Sequence, residues 1–173
     1  MDKTKIIVIE GPTAAGKSAM AMELAETFGG EIISADSMQV YRHMDIGTAK
    51  PSPEDRKRVR HHLIDIVAPD EDYTAARYRI DAAAAIVDIS NRNKIPIVAG
   101  GTGLYIKALT EGLFEGPGAD AGIRDELLAE ARELGAGCLH QRLNAVDPEA
   151  GAKIHPNNVR RVIRALEVYL VSK

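Results

Sequence analysis

An eight-residue, glycine-rich segment near the start of the chain constrains its fold more than any other feature. Residues 11–18 read Gly-Pro-Thr-Ala-Ala-Gly-Lys-Ser and match the pattern G-x-x-x-x-G-K-[ST]. An apolar, β-branched run at residues 5–9 precedes the segment and predicts a buried strand. A helical pattern follows at residues 18–28, and two glycines predict its end. A strand, a glycine-rich turn and a helix form the setting in which such a loop binds phosphate.

The residue types of this loop explain the chemistry. A helix N-terminus carries unpaired N–H groups and partial positive charge, and small residues let those donors close around phosphate oxygens. Lys17 adds a mobile positive charge, and the Ser18 hydroxyl is placed to ligate Mg²⁺. Taken alone, the loop is typical of proteins that bind ATP or GTP. We expect the phosphate oxygens to be bound by Gly11, Pro12, Thr13, Ala14, Ala15, Gly16, Lys17 and Ser18.

The composition limits the partners that the chain can have. A length of 173 residues suffices for one α/β domain with a small appendage, and a net charge of −3 gives no overall basic signature for nucleic acid. Any RNA contact must therefore come from local basic patches. The single cysteine, Cys138, indicates a reducing cytoplasm and offers no metal cluster. No signal peptide and no membrane-spanning run are expected.

Strands and helices alternate along the first half of the chain. Strands are predicted at residues 31–35 and 94–99, a short strand or an extended edge at residues 62–67, and helices at residues 73–92 and 104–109. Residues 45–54 are rich in turn-forming residues and predict a surface loop. This order indicates an α/β fold of the P-loop NTPase type, with a parallel sheet flanked by helices. The predicted buried residues of the two long helices are Ala21, Leu24, Ala25, Phe28, Ala76, Ile80, Ala83, Ala84, Ile86 and Val87.

The second part of the chain has a different character. Residues 114–118 suggest a linker, and helices are predicted at residues 123–134, near 138–143, after Pro148 and at 158–171. The predicted organisation is therefore a P-loop core at residues 1–113 followed by a small helical insertion at residues 114–173.

Two further segments are predicted at the carboxyl edge of the sheet, where ligands bind in open α/β proteins. Asp36 follows the second strand, and its carboxylate could serve as a general base, bind Mg²⁺ through water or form a turn. Residues 100–103, Gly-Gly-Thr-Gly, follow a later strand and bring the Thr102 hydroxyl to the same edge. A nucleotide hydrolase usually has an acidic residue there to hold Mg²⁺, and the glycine found instead argues against an ATPase.

Two basic clusters complete the candidate surfaces. Residues 56–62 contain four cations and two histidines, and the last predicted helix contains Arg160, Arg161 and Arg164. Each cluster taken alone is more typical of a solvated face than of a binding site. The apolar side of that last helix is supplied by Val162, Ile163, Leu166 and Leu170.

Together, several motifs of this sequence resemble the tRNA dimethylallyltransferase family. They are the loop at residues 11–18, Ile-Ser-Ala-Asp-Ser-Met-Gln-Val-Tyr at 33–41 and Met-Asp-Ile-Gly-Thr-Ala-Lys-Pro at 44–51. The others are His-Leu-Ile-Asp at 62–65, Gly-Gly-Thr-Gly-Leu-Tyr at 100–105 and His-Pro-Asn-Asn at 155–158, with the arginines after it. They occur in family order over nearly the whole chain.

The resemblance implies Mg²⁺-dependent transfer of a dimethylallyl group from dimethylallyl diphosphate to N6 of the adenosine on the 3′ side of a tRNA anticodon. It implies that Thr13, Ala14, Ala15, Gly16, Lys17 and Ser18 line the prenyl diphosphate site. The implied catalytic residues are Asp36 as general base, Thr102, Lys17 and Arg124. The implied tRNA-binding residues are Asp36, Ser37, Met38, Gln39, Thr102, Arg124, Arg160, Arg161, Val162, Ile163 and Arg164.

Family members continue well past the position of Lys173, so the resemblance implies that part of the core lies beyond this chain. We expect a monomer in the cytoplasm. Three alternatives stay open: a small-molecule kinase that uses the loop on ATP, a transferase acting on free adenine nucleotide, and a fragment that binds phosphate and RNA without catalysis.

Overall fold

A computed structural model describes residues 5–113 and 116–172, and the chain divides into two compact units, residues 1–113 and 114–173. Part of the predicted linker, Phe114 and Glu115, lies outside the described residues. Within the described residues, no helix is both long and apolar enough to span a membrane.

The first unit is built on a parallel sheet of four described strands, flanked by helices as predicted. The strands are β1 (Ile7–Glu10), β2 (Gly30–Ser34), β3 (His61–His62) and β4 (Ile95–Gly100), in the spatial order β1-β4-β2-β3. The helices are α1 (Lys17–Phe28), α2 (Pro53–Arg58), α3 (Ala75–Asn91) and α4 (Gly103–Thr110).

Successive residues of the central strands alternate between two hydrophobic cores. Ile33 and Val98 pack with α3 and α4 on one face of the sheet, whereas Ile32 and Ile97 pack with α1 on the other. This alternation follows from the two-residue period of a strand. Both faces of the central strands β2 and β4 are thus covered by helices, as is typical of parallel sheets.

Strands β4 and β2 approach each other closely at the carboxyl edge. A Cβ added to Gly100 would lie 2.1 Å from the carbonyl oxygen of Ala35. The N–H of Ala35 donates to the carbonyl of Ala99 across the same gap, over 2.8 Å. The glycine therefore permits the contact that brings the segment after β4 against the segment after β2.

The structure corrects four details of the prediction, two in the first loops and two on the helices. The strand expected at residues 62–67 ends after His62, because Leu63 and Asp65 adopt left-handed backbone angles of φ 61° and 57°. A short helix, α2, begins at Pro53 inside the expected loop, with the Ser52 hydroxyl accepting from the N–H of Asp55.

The predicted buried face of α3 is wrong for all its residues except Ile86. The buried residues are Tyr78, Ala82, Ile86 and Ile89, whereas Ala76, Ile80, Ala83, Ala84 and Val87 are exposed. The helix contains so many alanines that its periodicity defines no single face, and the large Tyr78 decides which side packs. On α1, Ala21 and Ala25 are buried as expected and Leu24 is half-buried, but Phe28 is exposed.

The second unit is helical, as predicted. It consists of α5 (Ala121–Leu134), α6 (Ala136–Val146), α7 (Pro148–Lys153) and α8 (Val159–Val171). Asp147 caps α7 and Asn158 caps α8 through their side chains, which accept from the N–H groups of Ala150 and Arg161. Its core contains Leu127, Leu139, Leu143, Val162, Ile163 and Leu166.

Candidate active site

The phosphate loop joins β1 to α1 in the conformation that the motif predicts. Gly16 occupies the N-cap position of α1 with φ 81°, a left-handed angle that favours glycine. Ala14 is also left-handed, with φ 66°. The ammonium group of Lys17 donates to the carbonyl of Pro12 over 2.5 Å, so the lysine folds back over its own loop. The loop therefore presents unpaired N–H donors of the first turn together with a cation.

Asp36 lies just beyond the end of β2 and organises the turn that follows. Its Oδ1 atom accepts from the backbone N–H of Met38 over 2.8 Å and of Gln39 over 3.3 Å. The carboxylate is only partly buried. The hydrogen bonds of Asp36 found among the described residues use Oδ1 alone, so Oδ2 is the oxygen suited to accept a proton. Asp36 thus stabilises the turn at residues 36–39 through Oδ1, as one of the predictions had it, and also presents a carboxylate oxygen at the edge of the sheet.

Thr102 connects the two loops at this edge. It occupies the N-cap position of α4, but its hydroxyl does not cap that helix. Its Oγ1 instead accepts from the N–H of Ser37 over 2.9 Å, and its own N–H donates to the carbonyl of Ala35 over 3.0 Å. Thr102 therefore holds the loop that carries Asp36.

A cavity of about 750 Å³ connects the phosphate loop with Asp36. Its upper part is lined by Thr13, Ala14, Lys17, Ser18, Asp36, Gln39, Gly100 and Gly101. Below these residues it continues between α1 and β2, where Ala21, Met22 and Ile32 form its walls, to Glu26, Arg58 and His61. Its size is in the range of small-molecule sites. The structure thus brings the predicted phosphate site and the predicted general base into one chamber.

The donor groups of the upper cavity fit a magnesium ion. Mg²⁺ prefers oxygen ligands and usually takes only one or two of them from the protein when a substrate supplies phosphate oxygens. The Ser18 hydroxyl and the Asp36 carboxylate both line the chamber. Among the described residues, no group of three or more histidine, cysteine or acidic side chains forms a separate metal site.

Lys50 is a site residue that the sequence did not reveal. Its side chain is only 4% exposed, and its ammonium group donates to the Tyr41 carbonyl over 2.7 Å, to Asp45 over 2.9 Å and to Asp65 over 2.6 Å. Burial alone would raise the pKa of the Asp65 carboxyl, but hydrogen bonds from Lys50 and Arg56 hold it below its usual range. The only signal in the sequence was that Lys50 belongs to a distinctive motif.

Gln39 connects the loop that carries Lys50 to the end of β2. Its Nε2 donates to the carbonyls of Thr48 and Ala49 over 3.1 and 3.0 Å, and its Oε1 accepts from the Ser34 hydroxyl over 2.9 Å. Ala49 adopts a left-handed φ of 49°. The side chain of Gln39 therefore fixes the loop at residues 44–50 as a wall of the chamber.

The basic cluster at residues 56–62 belongs to the fold. Arg56 pairs with Asp65 over 2.7 Å, and Arg58 pairs with Glu26 over 2.8 Å. His62 contacts the buried Glu31, to which Arg92 also donates. Arg56 and Arg58 are thus paired within the first unit, whereas Lys57 and Arg60 are exposed, so only part of the cluster is the solvated face that was expected.

The predicted tRNA-binding residues of the second unit fall into three groups. Arg160 and Arg161 are exposed on α8, whereas Val162 and Ile163 are buried in its core. Arg124 and Arg164 both pair with Glu167, which is completely buried. Of the five predicted residues on α8, Arg160 and Arg161 are thus exposed, whereas Arg164 is half-buried and pairs with Glu167.

A parallel sheet with a glycine-rich phosphate loop between β1 and α1 defines a P-loop-like α/β protein. A model of the IPP transferase family matches residues 39–173. The chain is 58% identical over 171 residues to a tRNA dimethylallyltransferase of Geobacter metallireducens, covering 99% of this chain and 55% of that protein. For the enzyme of the same name from Thermotoga maritima, the identity is 55% and the coverage is 96% and 54%. The chain therefore belongs to the IPP transferase family.

Solved structures agree with this assignment. A eukaryotic dimethylallyltransferase acting on tRNA superposes with a TM-score of 0.75 at 36% identity, covering 96% of this chain and 42% of that one. The full-length tRNA isopentenylpyrophosphate transferase of Bacillus halodurans gives a TM-score of 0.64 at 47% identity, with 97% and 56% covered. The chain spans about half the length of the curated relatives it matches.

Proposed function

We propose that this chain forms the phosphate-binding and catalytic core of an enzyme that transfers a dimethylallyl group to tRNA. The donor is dimethylallyl diphosphate, and the acceptor is N6 of the adenosine directly 3′ of the anticodon in tRNAs that read codons beginning with U. The observation that carries the proposal is that the phosphate loop and Asp36 line one cavity. The names of the relatives at 55–58% identity support the choice of both substrates.

The proposed reaction forms an N6–C1 bond while the bond between C1 and the diphosphate oxygen breaks. The N6 amine of adenine is a weak nucleophile, because its lone pair is shared with the ring, and it must lose a proton as it attacks. Oδ2 of Asp36 accepts that proton, and general-base assistance of this kind contributes about 10²–10⁴-fold. The hydrogen bonds from Met38 and Gln39 to Oδ1 orient the carboxylate.

The electrons of the breaking bond go to the diphosphate, whose negative charge increases. The N–H donors of the loop and the ammonium group of Lys17 stabilise that charge, and one preorganised donor contributes on the order of 3 kcal/mol. A bound Mg²⁺, held by the Ser18 hydroxyl and the diphosphate oxygens, would neutralise further charge on the leaving group.

The acceptor base has to leave its stack to reach the cavity, which costs less in an anticodon loop than in a duplex. In this proposal, the turn at residues 36–39, beside the cavity, contacts the base.

The second unit contributes to RNA binding in the same proposal. Arg160 and Arg161 offer positive charge to phosphates of the RNA, and the pairing of Arg124 with Glu167 orients the Arg124 side chain. A monomer in the cytoplasm remains our expectation.

The test is a transfer assay with radiolabelled dimethylallyl diphosphate, offering either unmodified tRNA or AMP as the acceptor. We expect label on the tRNA and none on AMP. Asp36→Asn keeps the shape of the side chain and an oxygen for the turn but removes the base, so transfer should fall at least 100-fold while inorganic diphosphate still binds. The control is Asp70→Asn, the same change at an exposed position, which should leave transfer unaltered.

Each alternative gives a different result. Labelling of AMP in preference to tRNA would identify a transferase for free nucleotides. Phosphorylation of a small acceptor by ATP, without prenyl transfer, would identify a kinase. Binding of diphosphate and tRNA with no transfer to either acceptor would show that this chain is a non-catalytic binding fragment.

A further inference from the structure

The cavity is deeper than a five-carbon prenyl group requires. On α1, its wall is formed by residues at one-turn intervals, namely Ser18, Met22 and Glu26. Because a helix rises 1.5 Å per residue, Met22 lies about 6 Å and Glu26 about 12 Å below the phosphate-binding turn. On the facing strand, Asp36, Ser34 and Ile32 line the same cavity at two-residue intervals. The chamber therefore runs downward from the sheet edge between α1 and β2.

The reaction axis and this slot have different directions. The reaction proposed above requires the attacking nitrogen, C1 and the leaving oxygen to be roughly in line, between Asp36 and the phosphate loop, which line one cavity. The rest of the prenyl chain leaves C1 at a large angle to that line. The apolar lining residues Ala21, Met22 and Ile32 lie in the slot beneath the edge, in a cavity that Ser34, Lys50 and Asp55 also line. Ala21 and Ile32 are nearly fully buried there, and Met22 is half-buried beside them.

The lower end of the slot is polar. Arg58 donates from Nε to Glu26 over 2.9 Å and pairs with it through NH2 over 2.8 Å. His61 donates from Nδ1 to the Val59 carbonyl over 2.8 Å, which leaves Nε2 as an acceptor. A longer apolar chain would have to lie against these groups and remove water from them, which is unfavourable.

We propose that Met22 sets the length of prenyl chain that the cavity accepts, with the five-carbon tail against Ala21 and Met22 and the polar groups of Glu26, Arg58 and His61 below it. This inference rests on the proposed function, because it assumes a prenyl diphosphate at the loop. The flexible thioether of Met22 lies at the depth where a second isoprene unit would begin, so its volume decides whether that unit fits.

The test compares the binding of three probes by calorimetry: inorganic diphosphate and the thio analogues of dimethylallyl and geranyl diphosphate, in which sulfur replaces the bridging oxygen so that no reaction occurs. For the unaltered protein, we expect the dimethylallyl analogue to bind at least about tenfold more tightly than diphosphate, since each buried methylene adds about fourfold. The geranyl analogue should bind more weakly than the dimethylallyl analogue.

Met22→Ala opens the slot, so the ratio of geranyl to dimethylallyl affinity should rise at least about tenfold, while diphosphate affinity stays constant and reports an intact loop. Met22→Leu conserves the volume and should retain the original preference. The matched control is Met20→Ala, two positions away, whose side chain is 55% exposed and does not line the cavity. It should leave the ratio unchanged.

An unchanged ratio in Met22→Ala, or an equal rise in Met20→Ala, would overturn the assignment of Met22 while leaving the proposed function intact. A prenyl tail that adds no affinity over diphosphate in the unaltered protein would overturn the slot itself. Failure of diphosphate to bind at all would instead remove the proposed function, and this inference with it.

Discussion

The hydroxyl of Thr102 accepts a hydrogen bond of 2.9 Å from the backbone N–H of Ser37. This bond joins the loop after β4 to the loop after β2, next to Asp36. The two loops are 65 residues apart in sequence and meet because Gly100 lets their strands approach closely. The position of Asp36, the proposed general base, therefore depends on Thr102, which is distant in sequence.

Replacing Thr102 with valine should leave the N–H of Ser37 without its partner and lower the free energy of unfolding by about 1 kcal/mol. Thr102→Ser keeps the hydroxyl and should retain most of that stability. Urea denaturation of both variants measures the difference. In the transfer assay, the valine variant should lose activity and the serine variant should keep it. Equal behaviour of the two variants would show that the hydroxyl does not hold the loop.

Removing the ammonium group of Lys50 should destabilise the first unit strongly. Lys50→Met leaves Asp65 and the Tyr41 carbonyl without their common donor, and the loss of one partner of a buried ion pair costs about 3–5 kcal/mol. Because Asp65 is 31% exposed and also contacts Arg56, we expect the lower end of that range. The measurement is urea denaturation of the variant and the unaltered protein.

Lys57→Met is the matched control for this change. Lys57 is exposed on α2, so the same substitution should alter stability by less than about 0.5 kcal/mol. A loss of equal size in both variants would mean that the effect comes from the change of charge and not from the buried contacts.

The sequence predicted the loop, the strand order along the chain and the position of Asp36, because these depend on local patterns. It did not predict the burial of Lys50, since a lysine in a loop is ordinarily solvated and its partner Asp65 is 15 residues away. The sequence also did not predict the left-handed angles of Leu63 and Asp65. Leucine rarely adopts such angles, and aspartate, although it adopts them more often than most residues, is usually found elsewhere. The apolar period of α8 identified its buried side, but it could not show that Arg164 turns inward to Glu167.

The stability of the second unit should fall in acid through Glu167. Burial alone would raise the pKa of this carboxyl, but hydrogen bonds from Arg124 and Arg164 outweigh that effect and lower the pKa to about 2, from an ordinary value of 4.5. A carboxyl whose pKa is lower in the folded state stabilises that state fully above pH 4.5 and loses this contribution as the pH falls toward 2. The contribution is on the order of 3 kcal/mol.

Glu167→Gln should therefore be less stable than the unaltered protein at pH 7, and the difference should shrink as the pH falls below about 4.5. Unfolding in urea at a series of pH values measures both effects. Glu149→Gln is the control, because Glu149 is exposed in the same unit and pairs with the exposed Lys153 at one-turn spacing. For this variant, the free energy of unfolding should change with pH nearly as it does for the unaltered protein.

Arg160 and Arg161 should contribute to tRNA affinity in a salt-dependent way. Both are exposed on α8, so replacing both with alanine should leave stability within about 0.5 kcal/mol. If each contacts one phosphate, the slope of log affinity against log salt concentration should become shallower by about 1.5. Filter binding of unmodified tRNA over a range of salt concentrations measures this slope.

Two further variants separate RNA contact from folding. Arg164→Ala should act mainly on stability, because this side chain donates to the carbonyls of Pro117 and Gly118 and to Glu167.

Replacing both Arg132 and Lys153 with alanine removes the same amount of charge elsewhere in the unit. This double variant should change the salt slope of tRNA binding less than replacing Arg160 and Arg161 does. An equal change would indicate a general effect of net charge, and an unchanged slope in the Arg160 and Arg161 variant would remove α8 from the RNA-binding surface. A smaller slope in that variant alone, with stability retained, would place at least two phosphates of the tRNA against the exposed start of α8.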